Sequence, residues 1–140
     1  MESASTPLDR LEAIGFRRVG IWTMQNERLF LALGECASSS NILYSFVIDR
    51  EPVYIGKTTQ KLKQRLYGYA NPGPTQATNI RGNHNISKSI AHGKIVEIFA
   101  LPDHGLLYFG GFHLNLAAAL EDNLVSSLKP IWNMTGIKKD

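Results

Sequence analysis

Two apolar runs separated by a short turn constrain this chain most. "ILYSFVI" (42–48) is β-branched and aromatic, "DREP" follows, and "VYIG" (53–56) comes directly after it. So short a connection between two strand-like runs implies an antiparallel hairpin. The hairpin leads into "QKLKQRLYGY", where Leu62, Leu66 and Tyr69 stand at helical spacing and share one face. Thr58 or Thr59 is the expected cap of that helix. Arg65 and Tyr69 are four residues apart, hence stacked neighbours on it.

Around this unit the remaining pattern is α+β. Residues 15–33 read as two short strands about the turn "QNER", and "ECASSSN" as a loop. "NPGPTQATN" (71–79) carries two prolines and a glycine and reads as a loop. "NISKSIAHG" (85–93) reads as a helix ended by Gly93, and "KIVEIFAL" (94–101) as a strand. "PDHGLLYFGG" reads as a loop or small hairpin. The helix over 115–128 has a stripe of Leu116, Leu120, Leu124 and Leu128, and Pro130 stops it. The order predicts a mixed α/β (α+β) fold, with a small, mainly antiparallel β-sheet flanked by helices. With 140 residues the chain suffices for one domain with a real core. Residues 1–40 read as an N-terminal extension carrying the first hairpin, 41–134 as the main unit and 135–140 as a tail.

Charge narrows the function classes. The net charge is only +3, yet no acidic residue lies between Glu51 and Glu97. That span holds Lys57, Lys61, Lys63, Arg65, Arg81, Lys88 and Lys94, a positive field suited to a polyanion. Tyr67 and Tyr69 interleave it, as in surfaces that meet nucleic acid. Cys36 is the single cysteine, which excludes an internal disulfide and a cysteine-based zinc site and suits a reducing cytoplasm. The N-terminus lacks the apolar segment of a secretory signal, and no apolar run is long enough for a membrane span.

Two apparent motifs fail on chemistry. "GKT" (56–58) suggests a phosphate loop, but the first glycine of such a loop falls at Glu51, whose carboxylate would repel phosphate. No nucleotide cofactor is expected. His84, His92, His104 and His113 show no metal-ligand spacing and read as surface or capping histidines.

A different constellation is chemically coherent: Tyr44 and Tyr54 on the paired strands, Arg65 and Tyr69 on the next helix, Glu121 on the late helix, and Asn133 beyond it. Taken singly, the tyrosines read as sheet aromatics, Arg65 as a surface arginine and Glu121 as a solvated carboxylate. Together they supply what phosphodiester hydrolysis requires. A base activates water, a cation steadies phosphoryl charge, and one carboxylate holds a divalent metal. The run "ILYSFVIDREPVYIGKTTQKLKQRLYGY" resembles the GIY-YIG nuclease superfamily. "YIG" (54–56) matches outright, and "ILY" (42–44) stands in place of GIY. Arg65 and Tyr69 fall at the family's arginine and its His-or-Tyr position, and "AALEDNLVSSLKPIWN" (118–133) is similar to its Glu helix and following Asn. The resemblance spans about residues 41–133 and is nearest the small restriction-endonuclease-like members.

The resemblance implies a GIY-YIG endonuclease-like fold and a metal-dependent endonuclease acting on DNA, double-stranded in the first instance. It implies one Mg²⁺ (or Mn²⁺) on Glu121 and Tyr44 as general base. Tyr54, Arg65 and Tyr69 complete the catalytic set, with Lys57, Lys61, Lys63, Arg81 and Asn133 on the nucleic acid. Duplex cleavage by one small site implies a homodimer or sequential nicking. Ile42 and Leu43 replace the Gly and Ile of the family motif. The alternative reading is therefore a catalytically silent DNA-binding or protein-interaction module. No appended DNA-binding module is readable, so specificity would come from the first 40 residues, the 71–84 loop or a partner.

Overall fold

A computed structural model describes residues 5–103 and 107–134. Five strands form one sheet in the order β2-β1-β5-β3-β4, every pair antiparallel. They are β1 (Arg17–Gln25), β2 (Arg28–Leu33), β3 (Ile42–Ile48), β4 (Glu51–Thr58) and β5 (Val96–Pro102). Both faces are covered. Ile42, Tyr44 and Phe46 of β3 pack in one core with Leu62, Leu66 and Tyr69 of α2 (Leu62–Ala70) and Ile86 of α3 (Ala77–Ala91). Leu43 and Val47 of the same strand pack in the other with Leu8 and Leu11 of α1 (Pro7–Ala13) and Ala117 of α4 (Leu116–Leu128). Coverage on both sides explains why β3 is apolar almost throughout rather than alternating.

The hairpins turn through two residues each. Asn26 and Glu27 adopt φ of 52° and 63°, and Asp49 and Arg50 adopt 50° and 61°. These left-handed pairs are the turns that match strand twist. Pro52 fits β4 because that strand is the sheet's edge. Register shifts between Phe46 and Val47, so Val53 is the extra residue of a bulge opposite them.

Several boundaries differ from the sequence expectation. Helix α1 is absent from it, although Thr6 and Asp9 form a reciprocal capping box with Pro7 at the first helical position. Neither Thr58 nor Thr59 caps α2. Lys61 occupies the cap with no side-chain bond, and the Thr58 hydroxyl accepts from Gln60 N–H instead. Helix α3 begins at Ala77, within the stretch expected to be loop, because the prolines end at Pro74. Past Pro130 the chain resumes as a short helix, α5 (Ile131–Met134). At the end of the 102–111 stretch and just past it, β6 (Tyr108–Phe109) pairs with β7 (Phe112–His113) as a small hairpin. His104 and the 135–140 tail lie outside the described residues. No described helix is long and apolar enough to cross a membrane.

Candidate active site

Tyr44 and Gly56 are register partners on β3 and β4, and Phe46 faces Tyr54 on the same side. The phenol of Tyr44 lies over Gly56: a Cβ there would stand 2.7 Å from both Cζ and the hydroxyl of Tyr44. The glycine of "YIG" therefore makes room for the tyrosine across from it. From that position the Tyr44 hydroxyl is 2.7 Å from the Tyr69 hydroxyl, a bond either can donate. Tyr69 is seated by a second glycine, since a Cβ on Gly82 of α3 would lie 2.5 Å from its ring.

Arg65 joins this pair one helical turn before Tyr69. One guanidinium N–H donates to the Tyr69 hydroxyl at 2.9 Å, and the Arg65 Cζ stands 4.4 Å from that ring's centroid. The other terminal nitrogen donates to Asn79 Oδ1 at 2.7 Å. Asn79 is buried and in turn donates to Gln76 Oε1 at 2.9 Å, which also accepts Gly73 N–H. A guanidinium has more N–H donors than these bonds use, so phosphate recognition stays available to Arg65.

Burial pushes the Tyr44 phenol above its ordinary value. The Tyr54 phenol adds to this, while Arg65 pulls the other way and loses. Burial also raises Tyr69, followed by the nearby phenols of Tyr44 and Tyr54. Burial works against the charge of Arg65, yet the phenols of Tyr44, Tyr69 and Tyr54 hold its value up. The resting site is thus two neutral phenols wired to a fixed cation.

Glu121 approaches from the other sheet face. It lies on α4, half-buried, with Lys57 Nζ 3.7 Å from its carboxylate. Its charge is still felt at Tyr44. Between the two halves runs an open cavity of about 450 Å³, lined by Lys57, Thr58, Gln60, Arg65, Asn115 and Ala118. Among the described residues no three His, Cys, Asp or Glu side chains gather as a metal cage. Glu121 stands beside Lys57 of that lining, and a single carboxylate suits a hard cation that keeps waters and takes substrate phosphate oxygens, and does not suit a structural zinc.

Of the other sequence-singled residues, Arg81 lines a small hollow with Tyr54 and Tyr69. Lys61 and Lys63 are exposed at the start of α2. Asn133 spends its whole amide on one residue: its Oδ1 accepts from Ile55 N–H and its Nδ2 donates to Ile55 C=O, both at 2.8 Å. Sequence reasoning missed Asn79, Gln76 and Gly82. Their signal was the spacing of Asn79, Gly82 and Ile86 on one helical face, hidden once 71–79 was read as loop.

No protein-family model and no curated protein matches the chain. Solved structures do. The fold is similar to that of a glutamate-to-alanine mutant of bacteriophage T4 EndoII, with a TM-score of 0.68 and 18% identity over 94% of this chain and all of that one. It is also similar to restriction endonuclease HPY188I, solved in complex with product DNA, with a TM-score of 0.52 and 16% identity over 94% of this chain and 85% of that one. At these identities the likeness establishes a shared fold, a five-stranded antiparallel sheet flanked by helices.

Proposed function

We propose that this protein is a metal-dependent endonuclease of the GIY-YIG type that hydrolyses phosphodiester bonds in double-stranded DNA. The observation that carries the reading is the Tyr44–Tyr69–Arg65 chain of hydrogen bonds, whose Arg65 lines a groove together with Lys57, the ion-pair partner of Glu121. The shared fold supports it, because one neighbour is a restriction endonuclease holding product DNA.

Glu121 is the residue that would hold Mg²⁺ or Mn²⁺, and the bound cation would polarise the scissile phosphate and assist the leaving oxygen. Lys57 occupies that carboxylate in the free protein; with DNA present it shifts its charge to a neighbouring phosphate. Arg65 binds the scissile phosphate with its free N–H groups while Asn79 and Tyr69 fix its plane. Tyr44 takes the proton of the attacking water as its phenolate, which the Tyr69 O–H stabilises by donation. Burial disfavours this phenolate in the free protein; Arg65 opposes it, and a cation held by Glu121 would add positive charge that favours the phenolate. Tyr54 orients water or phosphate. Asn133 acts indirectly, by fixing the edge strand that carries Tyr54 and Gly56. Arg81, Lys61 and Lys63 serve the DNA backbone.

The test is incubation of supercoiled plasmid with protein and Mg²⁺ or Mn²⁺, with EDTA and Glu121→Ala as controls. Nicked or linear DNA that disappears in both controls is the expected result. Cleavage that persists in EDTA would overturn the metal-dependent reading.

A further inference from the structure

Gln76 stands at the N-cap of α3, yet its side chain makes no capping bond to that helix. Its Oε1 instead accepts from two groups, Gly73 N–H at 2.8 Å and Asn79 Nδ2 at 2.9 Å. Gln76 N–H donates back to Gly73 C=O at 3.1 Å, which closes a four-residue turn with Pro74 at its second position. Two glycines leave room for the amides. A Cβ on Gly73 would stand 3.2 Å from Gln76 Oε1, and one on Gly68 of α2 would stand 3.0 Å from Asn79 Nδ2. Neither glycine adopts a left-handed φ, so close approach of these amides, and not backbone conformation, is what calls for glycine there.

The order of donors along this chain is forced from both ends. A backbone N–H can only donate, so Gly73 makes Oε1 the atom that Gln76 presents. Asn79 must then turn its Nδ2 to that oxygen, which leaves Oδ1 for Arg65. A guanidinium also only donates, so Arg65 requires the same orientation. An Asn79 amide turned over would set donor against donor at both contacts, and Asn79 is buried, so the mispairing would go largely uncompensated. Arg65 is bonded through both terminal nitrogens, to Asn79 and to the Tyr69 hydroxyl, and the two bonds together set its plane. The Tyr69 oxygen keeps an acceptor lone pair whichever way its proton turns, whereas the Asn79 amide is correct in only one of two orientations. Gln76 supplies the part of that choice that does not depend on Arg65 itself.

We propose that Gln76 is a positioning residue for phosphodiester cleavage: through Asn79 it orients the Arg65 guanidinium toward the scissile phosphate and ties it to the Gly73–Gln76 turn. The proposal rests on the nuclease reading of the site, and its first test needs no cleavage. In isotope-labelled protein, NMR reads rotation of the Arg65 guanidinium about its Nε–Cζ bond, with Arg65→Lys identifying the signal. Gln76→Leu should speed that rotation by about twofold to tenfold, the weight of one hydrogen bond. Gln76→Glu, whose carboxylate also accepts from both partners, should hold it near the wild-type rate. On a duplex that the wild type cuts in Mg²⁺, Gln76→Leu should lower kcat by about tenfold with KM changed by less than about threefold. Gln76→Glu should restore most of that kcat, at a raised KM because its charge repels DNA. In an Asn79→Ala background Gln76→Leu should cost nothing further. Gln76 is exposed, so the fold should persist, and matching thermal melts would show it. Unchanged rotation in Gln76→Leu, a kcat loss that Gln76→Glu leaves in place, or equal penalties in the two backgrounds would overturn the proposal. A wild type that cuts no DNA would overturn the nuclease reading and the catalytic role of Gln76 with it, and the rotation rate would still decide whether Gln76 holds Arg65.

Discussion

A methyl group on Gly56 would collide with the Tyr44 ring, and one on Gly82 with the Tyr69 ring. Gly56→Ala should therefore cost about 1–3 kcal/mol of stability by overpacking, read by urea denaturation, and lower cleavage more than the stability loss explains. Arg65→Ala should reduce kcat by about two orders of magnitude or more, as loss of a donor to developing charge does. Asn79 touches Arg65 and not the groove, so it is a positioning residue. Asn79→Ala should lower kcat with little change in KM, and should cost almost nothing further in an Arg65→Ala background. Equal penalties in both backgrounds would show that Asn79 acts independently. The raised tyrosines also set a pH signature. Unfolded tyrosine titrates near pH 10, about where the unfolded chain begins to release protons that folded Tyr44 and Tyr69 retain. Stability from these groups is thus full below about pH 10 and falls as pH rises, by about 1.4 kcal/mol per pH unit for each. Urea unfolding between about pH 9 and 11 should show that slope, flattened in Tyr44→Phe/Tyr69→Phe. Cleavage should climb toward alkaline pH. A chemistry-limited rate flat from about pH 6 to 9 would remove Tyr44 as base.

The edge strand β4 carries Tyr54, Gly56 and Lys57, and an edge strand has backbone groups to satisfy. Asn133 satisfies those of Ile55 with both ends of its amide, as a neighbouring strand would. Asn133→Ala should cost about 1–3 kcal/mol. Asn133→Asp should fare no better, because a carboxylate cannot donate to Ile55 C=O. Turn chemistry offers a change in the other direction. Glu27 holds φ of 63°, a conformation that glycine adopts without strain, so Glu27→Gly should raise stability by up to about 1 kcal/mol in urea melts. The elements that were readable from sequence are those whose signals are local: the β3–β4 hairpin from its short turn, α2 from Leu62, Leu66 and Tyr69, α4 from its leucine stripe. Those that were not depend on partners. The buried face of α3 begins with Asn79 and Gly82, polar or small because they seat Arg65 and Tyr69, so the apolar period that marks a helix is missing where the site is built.

Across the whole molecule, the acid-free span from β4 through α3 places Lys61, Lys63, Arg81 and Lys88 exposed on or beside the helices of one sheet face. Lys94 is held by Asp49 at 2.7 Å, next to the β3–β4 turn. If about four phosphates are neutralised, log K against log salt should fall with a slope near or steeper than about −3.6. A flat dependence would remove that span from the interface. The tyrosines, Arg65 and Glu121 stand out in the sequence as candidates because their order and spacing form one pattern. Their division between two faces of the sheet was not, because it follows from the alternation of β4 and the packing of α4 on the far side. A plasmid can lack the sequence such a nuclease cuts, so the most direct measurement is cleavage of a random-sequence duplex DNA library in Mg²⁺ or Mn²⁺, wild type against Glu121→Ala and Tyr44→Phe. Cut ends produced by the wild type and lost in both variants are the predicted result. Intact DNA with the wild type, despite salt-sensitive binding, would contradict the enzyme and leave a domain that grips DNA without cutting it.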